Sequence, residues 1–392
     1  MIKVTEKIML LPGSIEKGGY IPRLVCYVGK EHLVMLFARE KTSDNSEDIS
    51  FMESFDNGQT WGKPVQPPIL QPYTLNGYNM KILELAGYYD EQDGILHLLT
   101  PRHPYPGDGA AALDNDISQR YMEFVDYNPT TGDWTKLGEG GYYGITGGGV
   151  LSFISELCVT STGRILCPGY LTVFDANGKA VHFNGCWAPA NQSFAWIKED
   201  GRPWRPGTPV DLDERSTRGF CENSIIQLAD GRLGMVLRGS NDAIEDRQQG
   251  YKWVAYSSDG GESWTHPEPW TYTDGGLVES SATGCALLRA EANGKIYWIG
   301  NLCAPGERAR ANWPRSPLWI GEVDEMTFSL KRDTLRTIDE RRSDDGPTVQ
   351  FSNFRYYQEH ETGDIILFVT RLGERDEMKW MDADLWKFRI QL

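Results

Sequence analysis

A turn glycine followed by a short apolar strand recurs six times along this 392-residue chain. Gly29 precedes LVMLFA, Gly94 ILHLLT, Gly163 ILCPGY, Gly231 LGMVLR, Gly294 IYWIGN and Gly363 IILFVT. The glycines are 65, 69, 68, 63 and 69 residues apart. Self-similarity at such a period constrains the fold more than any local propensity, because each repeat buries its apolar faces only against its neighbours. Six near-equal repeats, each with at least one hairpin, predict an all-β, six-bladed β-propeller formed as one domain over residues 1–392.

A second signal keeps a similar period. Ser54-Phe55-Asp56-Asn57-Gly58-Gln59-Thr60-Trp61 and Ser257-Ser258-Asp259-Gly260-Gly261-Glu262-Ser263-Trp264 share the pattern S-x-D-x-G-x-[ST]-W. Asp accepts backbone N–H bonds inside a turn, Gly takes positive φ, and Trp packs beneath the hairpin, so Asp56 and Asp259 read as structural. Weaker copies end at Trp134 and Trp204, and Phe328 keeps only the aromatic; successive aromatics are 73, 70, 60 and 64 residues apart. The last repeat has no copy. The N-terminal strand around Ile8 to Leu11 is expected to complete it, closing the ring and removing free edges.

Composition agrees with many short strands joined by turns: 42 Gly, 21 Pro, 13 Trp and 18 Tyr, with few long helical patterns. A net charge of −16 argues against nucleic acid and anionic membranes as partners. Seven Cys without paired spacing argue against a disulfide framework and a zinc site. His32, His97, His182, His266 and His360 show no metal-ligand spacing, and no metal or cofactor is expected. The N-terminal apolar run is too short for a signal sequence, and no stretch spans a bilayer. The expectation is a cytosolic chain, or a secreted one whose leader lies outside this sequence. Pro101 to Gln119 reads as a long loop inside the second repeat, of a size often used for function. Gly144 to Gly149 (GITGGG) has no phosphate-loop Lys and reads as a tight turn.

The stretch GFCENSIIQLADGRLGMVLR, Gly219 to Arg238, carries the chemistry. Two apolar strands flank Ala229-Asp230-Gly231-Arg232, and Glu222 and Arg238 stand side by side at the far end of the hairpin. That geometry delivers a carboxylate and a guanidinium to one sheet edge, as a rim ion pair or as part of a site.

Six repeats with these Asp-containing turns resemble the sialidase (neuraminidase) superfamily and its Asp-box, or BNR, propellers. GFCENSII with Glu222 and GMVLR with Arg238 are similar to that family's fourth-blade Glu and Arg, and Arg315 in NWPRSPLWIG to its fifth-blade Arg. Asp44 in FAREKTSDNSEDISF matches the family's acid, with Asp48 as a nearby rival. Two departures stand out. The family has Arg directly before Ile-Pro, whereas here the order is Tyr20-Ile21-Pro22-Arg23; Arg23 and Arg39 are both candidates for that cation. Counting back twelve residues from Gly363, to the place of the family's catalytic Tyr, gives Phe351, which has no hydroxyl; Tyr356 and Tyr357 are expected within the strand body.

The resemblance implies an acidic-sugar substrate whose carboxylate is gripped by Arg238, Arg315 and Arg23 or Arg39, with Glu222 as base and Asp44 as proton donor. Glu222, Arg238, Arg315 and Asp44 are expected to converge at one end of the propeller channel. Glu222 beside Arg238 is expected to have a lowered pKa, and Asp44 to need burial before it donates a proton at neutral pH. With Phe351 in place of the nucleophile, three routes stay open. Asp44 and Glu222 form an acid/base pair on a water; a group of the long loop, His103, Tyr105 or Arg120, supports elimination from a uronic acid; or the site binds without reacting.

Overall fold

The computed structural model describes residues 2–107, 121–141, 156–200 and 202–392. Among these residues the chain forms six antiparallel sheets, and helical structure is limited to short 3₁₀ turns such as Pro68–Leu70. Chain contacts define two compact units of three sheets each: residues 3–144 with 342–392, and residues 145–341.

In the first unit, the first sheet holds Gly19–Tyr27, Leu33–Thr42 and Asn45–Ser54. The second is built on Ala86–Asp90, Ile95–Tyr105, Tyr121–Asn128 and Asp133–Gly141, with Tyr73–Leu75 and Tyr78–Ile82 added. The sixth holds Phe354–Gln358, Ile365–Thr370 and Leu385–Gln391. Its outer strand is Lys3–Leu11, antiparallel to Leu385–Gln391, so the N-terminal strand completes the last sheet and is longer than Ile8 to Leu11. In the second unit, the third sheet runs through Cys158–Val159, Ile165–Thr172, Asn191–Lys198 and Arg205–Pro206. The fourth runs through Cys221–Gln227, Leu233–Arg238, Lys252–Ser257 and Glu268–Pro269. The fifth runs through Cys285–Arg289, Ile296–Asn301, Leu318–Asp324 and Ser329–Leu330, with Arg336–Asp339 also paired.

Each of the six glycines lies in the turn between the first and second strands of a sheet. Five take φ between +71° and +88°, as a tight turn demands; Gly29 does not need it. The second strands are apolar on both faces because a sheet packs against each. Leu233, Met235 and Leu237 join the core shared with the third sheet, while Val236 joins the core shared with the fifth. The same alternation splits Leu33, Met35 and Phe37 from Val34, Leu36 and Ala38. Unbroken apolar runs in the sequence thus mark strands buried on both sides.

The two Asp-containing turns are superimposable in their bonds. Asp56 accepts from Thr60 N at 2.8 Å and Ser54 Oγ at 2.8 Å; Asp259 accepts from Ser263 N at 3.0 Å and Ser257 Oγ at 2.7 Å. Gly58 is required by space as well as by φ, since a Cβ there would lie 2.2 Å from the Tyr357 hydroxyl. One loop expectation is corrected. Residues 101–105 are strand, pairing with both Tyr121–Asn128 and Tyr78–Ile82, because Arg102, His103 and Tyr105 are buried and their backbone needs ladder partners. Residues 108–120, with Arg120, and Gly144 to Gly149 lie outside the described residues.

Candidate functional site

The fourth-sheet hairpin is regular from Gln227↔Leu233 to Ser224↔Val236, and then the ladder slips so that Cys221 faces Arg238. Glu222 and Asn223 form the bulge, a feature that re-aims side chains at a sheet rim. Glu222 takes φ +45°, a conformation costing on the order of 1–3 kcal/mol for a residue with a side chain. The bulge turns its carboxylate to accept from Arg238 Nη1. Asn223 Nδ2 donates to the Gly169 carbonyl at 2.8 Å, pinning the bulge to the third sheet.

Arg238 Nη2 also donates to Asn312 Oδ1 at 3.0 Å. Lys252 stands directly opposite Arg238 on the next strand and is fully buried, its Nζ donating to the Thr283 carbonyl. Arg315 donates from Nη2 to the Ala282 carbonyl at 2.8 Å, and its own carbonyl accepts from Asn301 Nδ2 at 3.1 Å. Lys252 is electrostatically coupled to Arg238, Glu222 and Arg315. Among the described residues, Arg238, Lys252, Arg315 and Glu222 therefore gather where the fourth and fifth sheets meet. Burial pushes the Lys252 amine down. For Arg238 burial also opposes the charge, but the Glu222 carboxylate outweighs it and holds the guanidinium charged. Tyr170 is coupled to Arg238 as well. It stands five residues into Ile165–Thr172, the place Arg238 occupies in Leu233–Arg238. Chemically, such a cluster can hold an anion bidentately beside a carboxylate able to take a proton.

The first unit holds a different cluster. Arg23 is buried and donates to Glu40 and, at 2.9 Å, to Glu84 Oε1. Arg355 lies 3.5 Å from Glu84 Oε2 and donates from Nε to the Arg23 carbonyl at 2.7 Å. Burial raises the Glu40 carboxyl to about 7, against the pull of Arg23, with Asp44 and Glu84 pushing the same way as burial.

The structure brings Glu222, Arg238 and Arg315 together in the second unit; the other sequence candidates lie in the first. Asp44 is exposed at φ +55°, and its carbonyl accepts from the Tyr105 hydroxyl at 2.5 Å. The burial that proton donation demands is found four residues earlier, at Glu40. Arg39 is engaged by Asp48, Nε to Oδ2 at 2.8 Å, and by the Lys17 carbonyl. His103 is buried within its strand. Phe351 is fully buried, with the Arg371 guanidinium 4.9 Å over its ring. Tyr356 and Tyr357 lie inside Phe354–Gln358 as expected. Sequence reasoning missed Lys252, Glu40, Glu84 and Arg355. The available signal for Lys252 was a charge heading the apolar run KWVAY, which hairpin counting places opposite Arg238. His97 lies nearer to a ligand set than its spacing suggested: Asp90, Asp93 and His97 bring ligand atoms within 4.8 Å of one another. Their donors and acceptors are engaged, however, by the amides of Gln92 and Ile95 and by Asp126.

The chain is similar over its whole length to solved β-propellers. A Dyadobacter fermentans protein of unknown function aligns over 100% of this chain and 99% of its own, at TM-score 0.66 and 14% identity. A K499G mutant of NanB sialidase from Streptococcus pneumoniae aligns over 98% and 70%, at TM-score 0.61 and 12% identity. Trypanosoma rangeli sialidase aligns over 95% of this chain and 55% of its own, at TM-score 0.61 and 13% identity. No protein-family model matches the sequence, and neither does any curated protein. At these identities the likeness establishes the fold: a sialidase-like six-bladed β-propeller.

Proposed function

We propose that the protein is a glycoside-cleaving enzyme acting on an acidic sugar. Arg238 and Arg315 take the sugar's carboxylate, with Lys252 buried opposite Arg238, and Glu222 is the carboxylate at the reacting centre. The observation that carries this reading is the placement of Arg238 beside Glu222 at a bulged sheet end, with Lys252 opposite it and Arg315 coupled to Lys252, in a protein that is acidic overall. A planar guanidinium beside a carboxylate suits bidentate capture of an anionic ligand next to a group that can take a proton. Structural neighbours named as sialidases, at 12–14% identity, support a sugar-binding propeller.

A second reading, elimination from a uronic acid or binding without turnover, is favoured by one residue. Phe351 counts to the place of the sialidase nucleophile, has no hydroxyl and is closed from solvent. The test has two parts. Titration calorimetry with N-acetylneuraminate and with galacturonate, on wild type and Arg238→Ala, is expected to show a loss of about 2–5 kcal/mol for whichever acid binds; unchanged affinity overturns the reading. Assays on sialosides and oligogalacturonides then separate the chemistries: free sugar marks hydrolysis, and new ultraviolet absorbance marks elimination.

A further inference from the structure

Trp187 is 68% exposed, unusual for so large an apolar ring. Single exposed aromatics are common on protein surfaces and need no ligand. This one differs in being held. Its Nε1 donates to Asp242 Oδ2 at 2.8 Å, and the Arg218 guanidinium lies 5.3 Å over its ring. The loop that presents it is tied down at both ends. Val173 N donates to the Ala190 carbonyl at 2.9 Å, and Ala190 N to the Val181 carbonyl at 2.7 Å. His182 Nδ1 bonds the Cys186 carbonyl at 2.9 Å, and Asn184 Nδ2 donates to the Glu214 carbonyl at 3.1 Å. The ring is therefore pre-oriented, and ordering it again on binding costs little.

Its two holders tie it to the cation cluster of the same unit. Arg218 lies four residues before Glu222, and Asp242 four residues after Arg238. Even fully extended, four residues reach no more than about 14 Å. The loop itself leaves the third sheet directly after Thr172, two residues beyond Tyr170. Trp187 is thus held by residues four positions from Glu222 and from Arg238, at the same end of the third and fourth sheets.

We propose that Trp187 is the stacking platform of a second sugar subsite, which takes the neutral pyranose joined to the acidic sugar held by Arg238 and Arg315. This rests on the acidic-sugar reading above and extends it from a monosaccharide to an oligosaccharide. A pyranose presents a face of C–H bonds, weakly positive at hydrogen, that matches the negative face of an indole. The ring edge carries the Asp242 carboxylate, suited to sugar hydroxyls, while Arg218 lies over one face of the indole. Trp is also the residue most enriched among side chains that dominate binding energy.

The test is calorimetric binding of two pairs, N-acetylneuraminate with sialyllactose and galacturonate with the disaccharide galacturonosyl-rhamnose, to wild type, Trp187→Ala and Trp187→Phe. For the acid that binds, the oligosaccharide is expected to bind wild type about tenfold more tightly than the monosaccharide. That ratio falls toward one in Trp187→Ala and keeps part of its value in Trp187→Phe, with melting temperatures matched. A ratio near one in wild type, or a ratio that survives Trp187→Ala, overturns the subsite and leaves the acidic-sugar site standing. Binding of neither monosaccharide overturns the acidic-sugar reading, and the subsite with it.

Discussion

Glu40 should make the protein lose stability as the pH rises through the acidic range, against the usual trend for carboxylates. Its carboxyl is 3% exposed, and burial raises it to about 7 from an ordinary 4.5. The folded chain therefore holds this proton where the unfolded chain has already released it. The proton's contribution to stability is complete below pH 4.5 and disappears between 4.5 and about 7. At 1.36 kcal/mol per pH unit, the gap amounts to about 3 kcal/mol. Other groups act in the opposite sense: Asp56, Asp259, Glu262 and Glu322 are held below their ordinary values and stabilise the fold as pH rises. Those contributions are common to wild type and Glu40→Gln, so the difference between the two proteins isolates Glu40. Urea unfolding of both from about pH 4 to pH 8 should show wild type losing about 3 kcal/mol relative to the variant across that window. Gln keeps an acceptor for Arg23, and any change in that hydrogen bond adds an offset that does not alter the direction. A difference that is flat, or that grows with pH, would mean that Arg23 keeps Glu40 ionised throughout and that burial is not the dominant influence.

Three further outcomes follow from particular contacts. Asp259→Ala removes the acceptor of the Ser263 N–H, the Ser263 hydroxyl and the Ser257 hydroxyl, and should cost about 1–2 kcal/mol in denaturant unfolding; an unchanged midpoint would show that the turn holds without its Asp. Wild type should release little or nothing from an aryl sialoside, because Phe351 counts to the place of the nucleophile and has no hydroxyl; efficient release by wild type would refute the role given to Phe351. Deleting residues 3–11 exposes the edge of Leu385–Gln391 and should produce self-association on size-exclusion chromatography; a monodisperse monomer would show that the strand is dispensable.

Much of the fold was legible because its signals are local and repeated. A turn glycine with an apolar strand behind it needs only a few neighbouring residues to be recognised, and six copies multiply the signal. The Asp-containing turns were equally readable, since every bond in Ser54–Thr60 closes within four residues. The hairpin pairing of Glu222 with Arg238 came from the same local logic, as did closure of the last sheet by the N-terminal strand. Where local logic failed, long-range contact was the cause. Residues 101–105 looked like loop for their prolines, yet two other strands claim their backbone.

The sequence by itself determined the number of sheets, their turns and the residues able to carry charge to a sheet end. Only the tertiary structure decided which charges matter together. Lys252 reaches Arg238 across a ladder, and Arg315 is coupled to Lys252 from the segment leading into the fifth sheet. Arg23, a better match in sequence than Lys252, is instead hydrogen-bonded to Glu40 and Glu84, 17 and 61 residues away. The physical reason is that a charge's role depends on its burial and on the sum of its neighbours. Spacing along a chain records neither until the sheets have packed.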